Sequence, residues 1–185
     1  MAAERSWRAR SPSPEVTEAV GEALGAELGP GAVVALCGEL GAGKTTFVRG
    51  LARGLGSRSP VVSPTFTRMR ELPGRLLLRH FDAWRTGSEA LFAEGGEHLG
   101  GDGVAAIEWA DRVTELLPRP RLELRLRHAG EDARELELVL LRGPADAGPV
   151  ATGLERRLER ALEAARATAG LEARDPGDAP SVEVR

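Results

Sequence analysis

The octapeptide Gly38-Glu39-Leu40-Gly41-Ala42-Gly43-Lys44-Thr45 constrains this chain more than any other stretch. It fits G-x-x-x-x-G-K-[ST], in which glycines let successive backbone N–H groups converge on phosphate oxygens and a lysine neutralises their charge. Such a loop needs a buried strand before it and a helix after it. Both are present. Ala32 to Cys37 is a continuous apolar run of six, the pattern of a strand covered on both faces. From Thr45 to Leu55, Phe47, Leu51 and Leu55 recur at helical spacing.

Composition sharpens the reading at Lys44. Lysine and arginine together number 25, and Lys44 is the only lysine among them. A slim ammonium on a flexible stem fits under β- and γ-phosphates where a broad guanidinium fork does not. Glu39, Leu40, Gly41, Ala42, Gly43, Lys44, Thr45 and Thr46 therefore read as a cradle for the phosphates of ATP. Each charge-assisted hydrogen bond there is worth roughly 1.5–3 kcal/mol. The Thr45 hydroxyl is placed to ligate Mg²⁺. Thr46 reads as a helix residue, with a contact to the α-phosphate as the functional alternative.

Chemistry at a triphosphate also needs a carboxylate near the metal, usually at the end of a neighbouring strand. Leu76 to Asp82 and Val104 to Glu108 are apolar strands that end in acids, where ligands gather in open α/β sheets. One of Asp82 and Glu108 would hold Mg²⁺ and the other would orient the attacking water; the sequence leaves that choice open. Thr65, in Ser63-Pro64-Thr65-Phe66-Thr67, reads as a γ-phosphate sensor or as a strand-start residue behind a proline. His80 reads as a packed core histidine. Trp109 packs near the nucleotide or in the core.

The fold expected is α/β: a three-layer P-loop NTPase-like arrangement, with a mixed parallel and antiparallel central sheet, flanking helices and β-hairpins. Thr65–Glu71 and Leu76–Asp82 form one hairpin around Pro73-Gly74. Runs with Leu122, Leu124, Leu126 and with Leu136, Leu138, Leu140 form a second, with one wet face. Ser13 starts a helix with Pro14 at its first position, and Ser88 starts a short one through Ala93. Residues 1–12 are expected as a flexible tail and 13–142 as the ATPase domain. Residues 143–185 are expected as a linker, an amphipathic helix and a disordered tail.

Absences narrow the class. No segment approaches the ~20 apolar residues that span a bilayer, and Met1 to Arg10 lacks the apolar core of a secretion signal. The net charge of −3 argues against a dedicated nucleic-acid binder. One cysteine, Cys37, suits a reducing cytoplasm and reads as a small core residue. The chain has no Asn, no Gln and no second Lys, so a guanine-reading N-K-x-D motif and a water-orienting Gln are excluded. A small-molecule kinase is the alternative; it would need an acceptor pocket and an arginine lid, to which Arg68, Arg70 and Arg85 could contribute. A nucleotide-dependent binding module with negligible hydrolysis is a third reading.

With those residues placed, the chain resembles the TsaE family, bacterial ATPases required for threonylcarbamoyladenosine modification of tRNA. Gly38 to Leu51 match the family's loop and helix, and Ser63 to Thr67 its switch-like segment. His80-Phe81-Asp82 with Arg85, and Asp102-Gly103-Val104 leading to Ile107-Glu108-Trp109, match its two acidic motifs. The resemblance runs from about residue 13 to 141. Trp84 stands where the family usually has Tyr, and the helix after residue 143 is an extension. The resemblance implies a cytoplasmic ATPase that uses Mg-ATP to support turnover of a TsaD–TsaB complex. It meets tRNA only through that complex and does not meet a membrane. By position, Lys44, Thr45, Thr65, Asp82, Glu108 and Trp109 carry over as nucleotide-site residues.

Overall fold

A computed structural model describes residues 5–64, 69–84, 99, 101–143, 148–169 and 172–174. The elements, in chain order, are β1 (Arg5–Ser11), α1 (Pro14–Glu27), β2 (Ala32–Cys37), α2 (Lys44–Gly54), β3 (Met69–Leu72), β4 (Leu78–Asp82) and β5 (Val104–Glu108). After two 3-10 turns, Ala110–Arg112 and Thr114–Leu116, come β6 (Arg121–His128), β7 (Arg134–Leu141), α3 (Gly148–Ala169) and β8 (Glu172–Arg174). Eight strands form one sheet in the order β3-β4-β5-β2-β6-β7-β1-β8. The central strands β4, β5, β2 and β6 run parallel. The outer pairings β3–β4, β6–β7, β7–β1 and β1–β8 are antiparallel. This is the mixed-sheet P-loop NTPase-like α/β fold that the strand–loop–helix order predicts.

Period-2 alternation splits the strand residues between two cores. On one face Val34, Leu36, Ala106, Leu122, Leu124, Leu138 and Trp7 pack against Val20, Leu24, Phe47, Leu51 and Leu158 of the three helices. On the other, Val33, Ala35, Phe81, Ala105 and Ile107 pack against Ala110, Val113 and Leu117 from the 3-10 turns. Phe47, Leu51 and Leu55 are all fully buried, as their spacing predicts.

The helical layer is locked by glycines that face each other. A Cβ on Gly21 would lie 2.4 Å from the Phe47 carbonyl oxygen, and one on Gly25 2.4 Å from that of Leu51. Reciprocally, Gly50 meets Glu18 O at 1.9 Å and Gly54 meets Glu22 O at 2.1 Å. Four-residue spacing on both helices thus puts backbone against backbone, and α2 is held rigidly behind the loop it starts from. The last turn of α1 has no basic residue of its own. Arg75, from the turn between β3 and β4, supplies one: its Nη2 donates to the carbonyls of Gly25, Ala26 and Leu28 at 2.6, 2.7 and 2.9 Å. These are the orphan acceptors of a helix C-terminus, and a cation suits that end of the dipole.

Three expectations need correction. Residues 5–11 are not a flexible tail. They form β1, with Trp7 buried and Arg8 bonded to Glu137 of β7 at 2.6 Å. Arginines alternate with Trp7, Ala9 and Ser11, so a polar composition concealed a strand with one apolar face. The C-terminal stretch is also not wholly a tail: α3 buries Leu158, Ala161 and Leu162 against the main core, and Glu172–Arg174 pairs with β1. The β6–β7 hairpin is not simply wet on its second face. Arg121 and Glu123 are buried there, and Arg121 Nη1 donates to the Leu117 carbonyl at 3.1 Å. Ser13 does sit at the start of α1, but its side chain makes no capping bond; its carbonyl accepts from Ser11 Oγ and from the Thr17 N–H. The expected helix from Ser88 to Ala93 lies outside the described residues.

Overpacking a contact this close has a measurable cost. Gly50→Ala should destabilise the protein by about 3 kcal/mol, since the added methyl meets backbone that cannot rotate away. A urea melt should show a lower midpoint with an unchanged m-value. A midpoint equal to the parent's would mean that α1 and α2 are not locked by these glycines.

Candidate functional site

Parallel pairing aligns strand ends, and here it aligns the chemistry. Leu36 of β2 is the register partner of Glu108 on β5, and Glu108 is the register partner of Asp82 on β4. The loop 38–43 leaves β2 at this level. Both acids therefore stand beside its root, on the face that packs against α2. Buried apolar neighbours on each strand leave them 3% exposed each.

The loop then turns into α2. Gly43, the N-cap, has φ 101, a left-handed conformation that glycine adopts without steric cost. Gly38 has its own requirement: a Cβ there would lie 2.5 Å from the Leu126 carbonyl oxygen. The first turn of α2 carries no acidic residue, so the positive end of its dipole is uncompensated and faces the cavity.

Side chains complete the site. Lys44 Nζ donates to the carbonyls of Gly38 and Glu39 at 2.6 and 2.8 Å, and sits 3.5 Å from the Trp109 ring centroid. Burial pulls the Lys44 pKa below its ordinary value, while Glu108, Asp111 and Asp82 oppose that shift. Thr45 Oγ1 donates to both oxygens of Glu108, at 2.8 and 3.0 Å. His80 Nε2 lies 2.8 Å from Glu108 Oε1. Asp82 accepts from Ser63 Oγ at 3.1 Å and from the Trp84 N–H at 2.8 Å.

Trp109 follows Glu108 with φ 59 and ψ 36, a left-handed conformation that costs a bulky residue on the order of 1–3 kcal/mol. That turn swings its ring under the Lys44 ammonium. Trp84 packs on it with ring centroids 4.3 Å apart, and the Arg112 guanidinium lies 4.1 Å from the Trp84 ring centroid. Arg112 Nη1 also donates to the Trp84 carbonyl at 3.2 Å.

A cavity of about 420 Å³ is lined by Leu40, Gly41, Gly43, Lys44, Thr45, Thr46, Ser63, Asp82, Trp84, Glu108 and Trp109. Nearly all the residues that sequence singles out thus meet in one place. Glu39 does not: its side chain is on the other flank of the loop, beside a second cavity with Cys37, Arg125 and His128. Ala42 is fully buried beneath the loop. Thr65 lies outside the described residues. Sequence reasoning missed Ser63 and Trp84 as site residues and took His80 for a core residue. The signal for His80 was its place two residues before Asp82, which puts both on one face of β4. Among the described residues no three His, Cys, Asp or Glu side chains gather to hold a metal unaided.

Comparison with known proteins decides the family. The family model described as threonylcarbamoyl adenosine biosynthesis protein TsaE matches residues 11–136. The chain belongs to the TsaE family. This TsaE-family chain is 43% identical to the Bacillus subtilis tRNA threonylcarbamoyladenosine biosynthesis protein TsaE over 128 residues, covering 69% of this chain and 81% of the relative. The Treponema pallidum TsaE is 42% identical over 131 residues, covering 70% of this chain and 97% of the relative. Among solved structures, that of Bacillus subtilis YdiB superposes with a TM-score of 0.68 at 35% identity, covering 86% of this chain and 98% of that one. Among the described residues, no helix is long and apolar enough to cross a membrane.

Cys37 ends β2 beside this site and is not part of its chemistry. Burial, with Glu123 and Asp111 adding to it, pushes its thiol from 9.0 up to about 12. Iodoacetamide at pH 8 should therefore label native Cys37 far more slowly than the unfolded chain, as read by mass spectrometry. The raised value also fixes a sign: this thiol's contribution to stability is complete below pH 9 and is lost between pH 9 and 12, as the unfolded chain ionises first. Rapid labelling of the native protein at pH 8 would contradict the burial.

Proposed function

We propose that this TsaE-family chain is a Mg-ATP-dependent ATPase of tRNA threonylcarbamoyladenosine biosynthesis, supporting turnover of a TsaD–TsaB complex. One observation carries the nucleotide reading: two register-matched acids and the Thr45 hydroxyl converge at the root of a glycine loop that opens a helix with an uncompensated dipole. The cavity's donors suit a triphosphate and its acids suit a divalent cation. Its small carboxylate count fits Mg²⁺, which is usually shared between one or two protein acids, water and substrate phosphates.

In this reading Thr45 and Glu108 hold Mg²⁺, which neutralises charge on the phosphate oxygens. Thr45 already donates its proton to Glu108 and keeps lone pairs for the ion. His80 fixes the Glu108 carboxylate from the buried side. Asp82, oriented by Ser63 and the Trp84 N–H, positions the attacking water and receives its proton. Lys44 moves from its own loop carbonyls onto the phosphates, exchanging two hydrogen-bond acceptors for charged ones. Trp109 and Trp84 wall the site against bulk water. Exposed Leu40 (83%) and Trp84 (44%) at the cavity mouth suit contact with a partner protein. The Arg112 fork is committed to Trp84, so it does not supply the arginine lid that a small-molecule kinase would need.

Three variants test the assignment. Lys44→Ala should lower MgATP affinity by at least about tenfold, the cost of one charged hydrogen bond. Asp82→Asn should bind MgATP normally and lose about 10²-fold or more in turnover. Glu108→Gln should need more Mg²⁺ for the same nucleotide affinity. Parent-like affinity and turnover in Lys44→Ala would remove the nucleotide reading. Phosphate transferred to an added acceptor, instead of released, would favour a kinase.

Partner dependence is a separate expectation. The chain should co-purify with TsaD–TsaB in the presence of ATP and not in its absence. Failure to associate with or without nucleotide would remove the partner claim and leave the ATPase claim standing.

A further inference from the structure

His128 and Arg134 face each other across β6 and β7, as the last register pair before the hairpin turn. Neither lines the cavity described above. Both reach the glycine loop from behind. His128 Nε2 lies 3.2 Å from the Leu40 carbonyl oxygen, and Arg134 Nη2 donates to the Gly41 carbonyl at 3.1 Å. Two successive carbonyls at the loop apex are thus engaged by one cross-strand pair. The approach is close: a Cβ on Gly41 would lie 3.7 Å from the His128 ring, and one on Gly43 4.0 Å from the Arg134 stem.

The Arg134 guanidinium does more than touch the loop. Its Nη1 donates to the carbonyls of Glu131 and Ala133 in the hairpin turn, at 3.1 and 2.7 Å. One rigid fork therefore ties the turn to the loop apex. A lysine ammonium has no such fixed spacing between donors.

We propose that Arg134, with His128, is a positioning pair that holds the apex of the loop in its phosphate-receiving shape. The physical link is the planar trans peptide, in which C=O and N–H point in opposite directions. Holding the Leu40 carbonyl toward His128 holds the Gly41 N–H away from the hairpin. A hydrogen bond accepted by that carbonyl also polarises the same peptide and strengthens the N–H as a donor. The loop then needs no reordering when an anion arrives, so affinity gains from preorganisation. This inference rests on the nucleotide reading above. It adds a residue pair, on a different hairpin, that sequence motifs did not single out.

The test compares Arg134→Ala, Arg134→Lys and His128→Ala. MgADP affinity in Arg134→Ala should fall about tenfold, the order expected for one lost charge-assisted hydrogen bond. The loss should appear in KM for ATP more than in kcat, and the melting temperature should stay near the parent's. Arg134→Lys keeps the charge and loses the fork, so it should be as weak as Arg134→Ala. Parent-like affinity in Arg134→Lys would overturn the tether in favour of simple charge attraction. Parent-like affinity in both Arg134→Ala and His128→Ala would overturn it outright.

Amide hydrogen exchange separates this inference from the nucleotide reading. Residues 39–43 of the nucleotide-free protein should exchange faster in Arg134→Ala, and in His128→Ala should Arg134→Ala not fold. Unchanged exchange overturns the tether whatever the nucleotide result. A parent protein that binds no MgADP removes the nucleotide reading, and with it the role of the pair in affinity.

Discussion

The site exists because three parallel strands end at one level. Parallel ladders fix register through evenly spaced hydrogen bonds, and a slip of one residue would turn every side chain to the opposite face. Here such a slip in β4 would send Asp82 and His80 together into the apolar layer with Ala110 and Val113. The buried alternation of both cores forbids it. Catalytic geometry is thus secured by packing far from the chemistry: Leu78, Phe81, Val104 and Ile107 hold the acids in place more firmly than any bond the acids make themselves.

Around that frame the polar contacts form a short chain. Thr45 leads to Glu108 and Glu108 to His80. Every link joins the start of α2 to the end of a strand, so a displacement of the helix is felt by the carboxylate. The glycine-locked contact between α1 and α2 keeps that displacement small. Trp109 contributes differently. Its left-handed backbone is a local strain, and its ring partners a buried ammonium that would otherwise have only loop carbonyls. Strain at such a point is held by the surrounding structure, through Trp84 stacking and the 3-10 turn that follows.

How much of this was readable beforehand depended on distance along the chain. The loop, Lys44 and Thr45 were legible because glycine spacing, preceding strand and following helix are all local. Asp82 and Glu108 were legible as strand-end acids. That they are register partners depends on loops whose paths no periodicity encodes. β1 was concealed because its arginines dominate its composition and its partner, β7, lies some 130 positions away. Arg121 and Glu123 looked like solvent-facing alternation, since a buried ion pair and a wet face have the same pattern of letters. The left-handed Trp109 had no signal at all: φ above zero is expected of Gly or Asn, and nothing in Glu-Trp-Ala announces it.

The stretch that identifies the family, residues 11–136, is shorter than the unit that folds. β1 precedes it almost entirely, and β7 runs past its end. Beyond both, α3 lays Leu158, Ala161 and Leu162 into the principal core, while Arg142 grips Glu155 and Glu159 at its near end. Trimming the gene to its recognisable heart would therefore strip a strand from one flank and a helical lid from the greasy side of the sheet. Anyone excising a minimal module from this protein would obtain a sticky fragment, because the parts that say what it is and the parts that keep it whole are different residues.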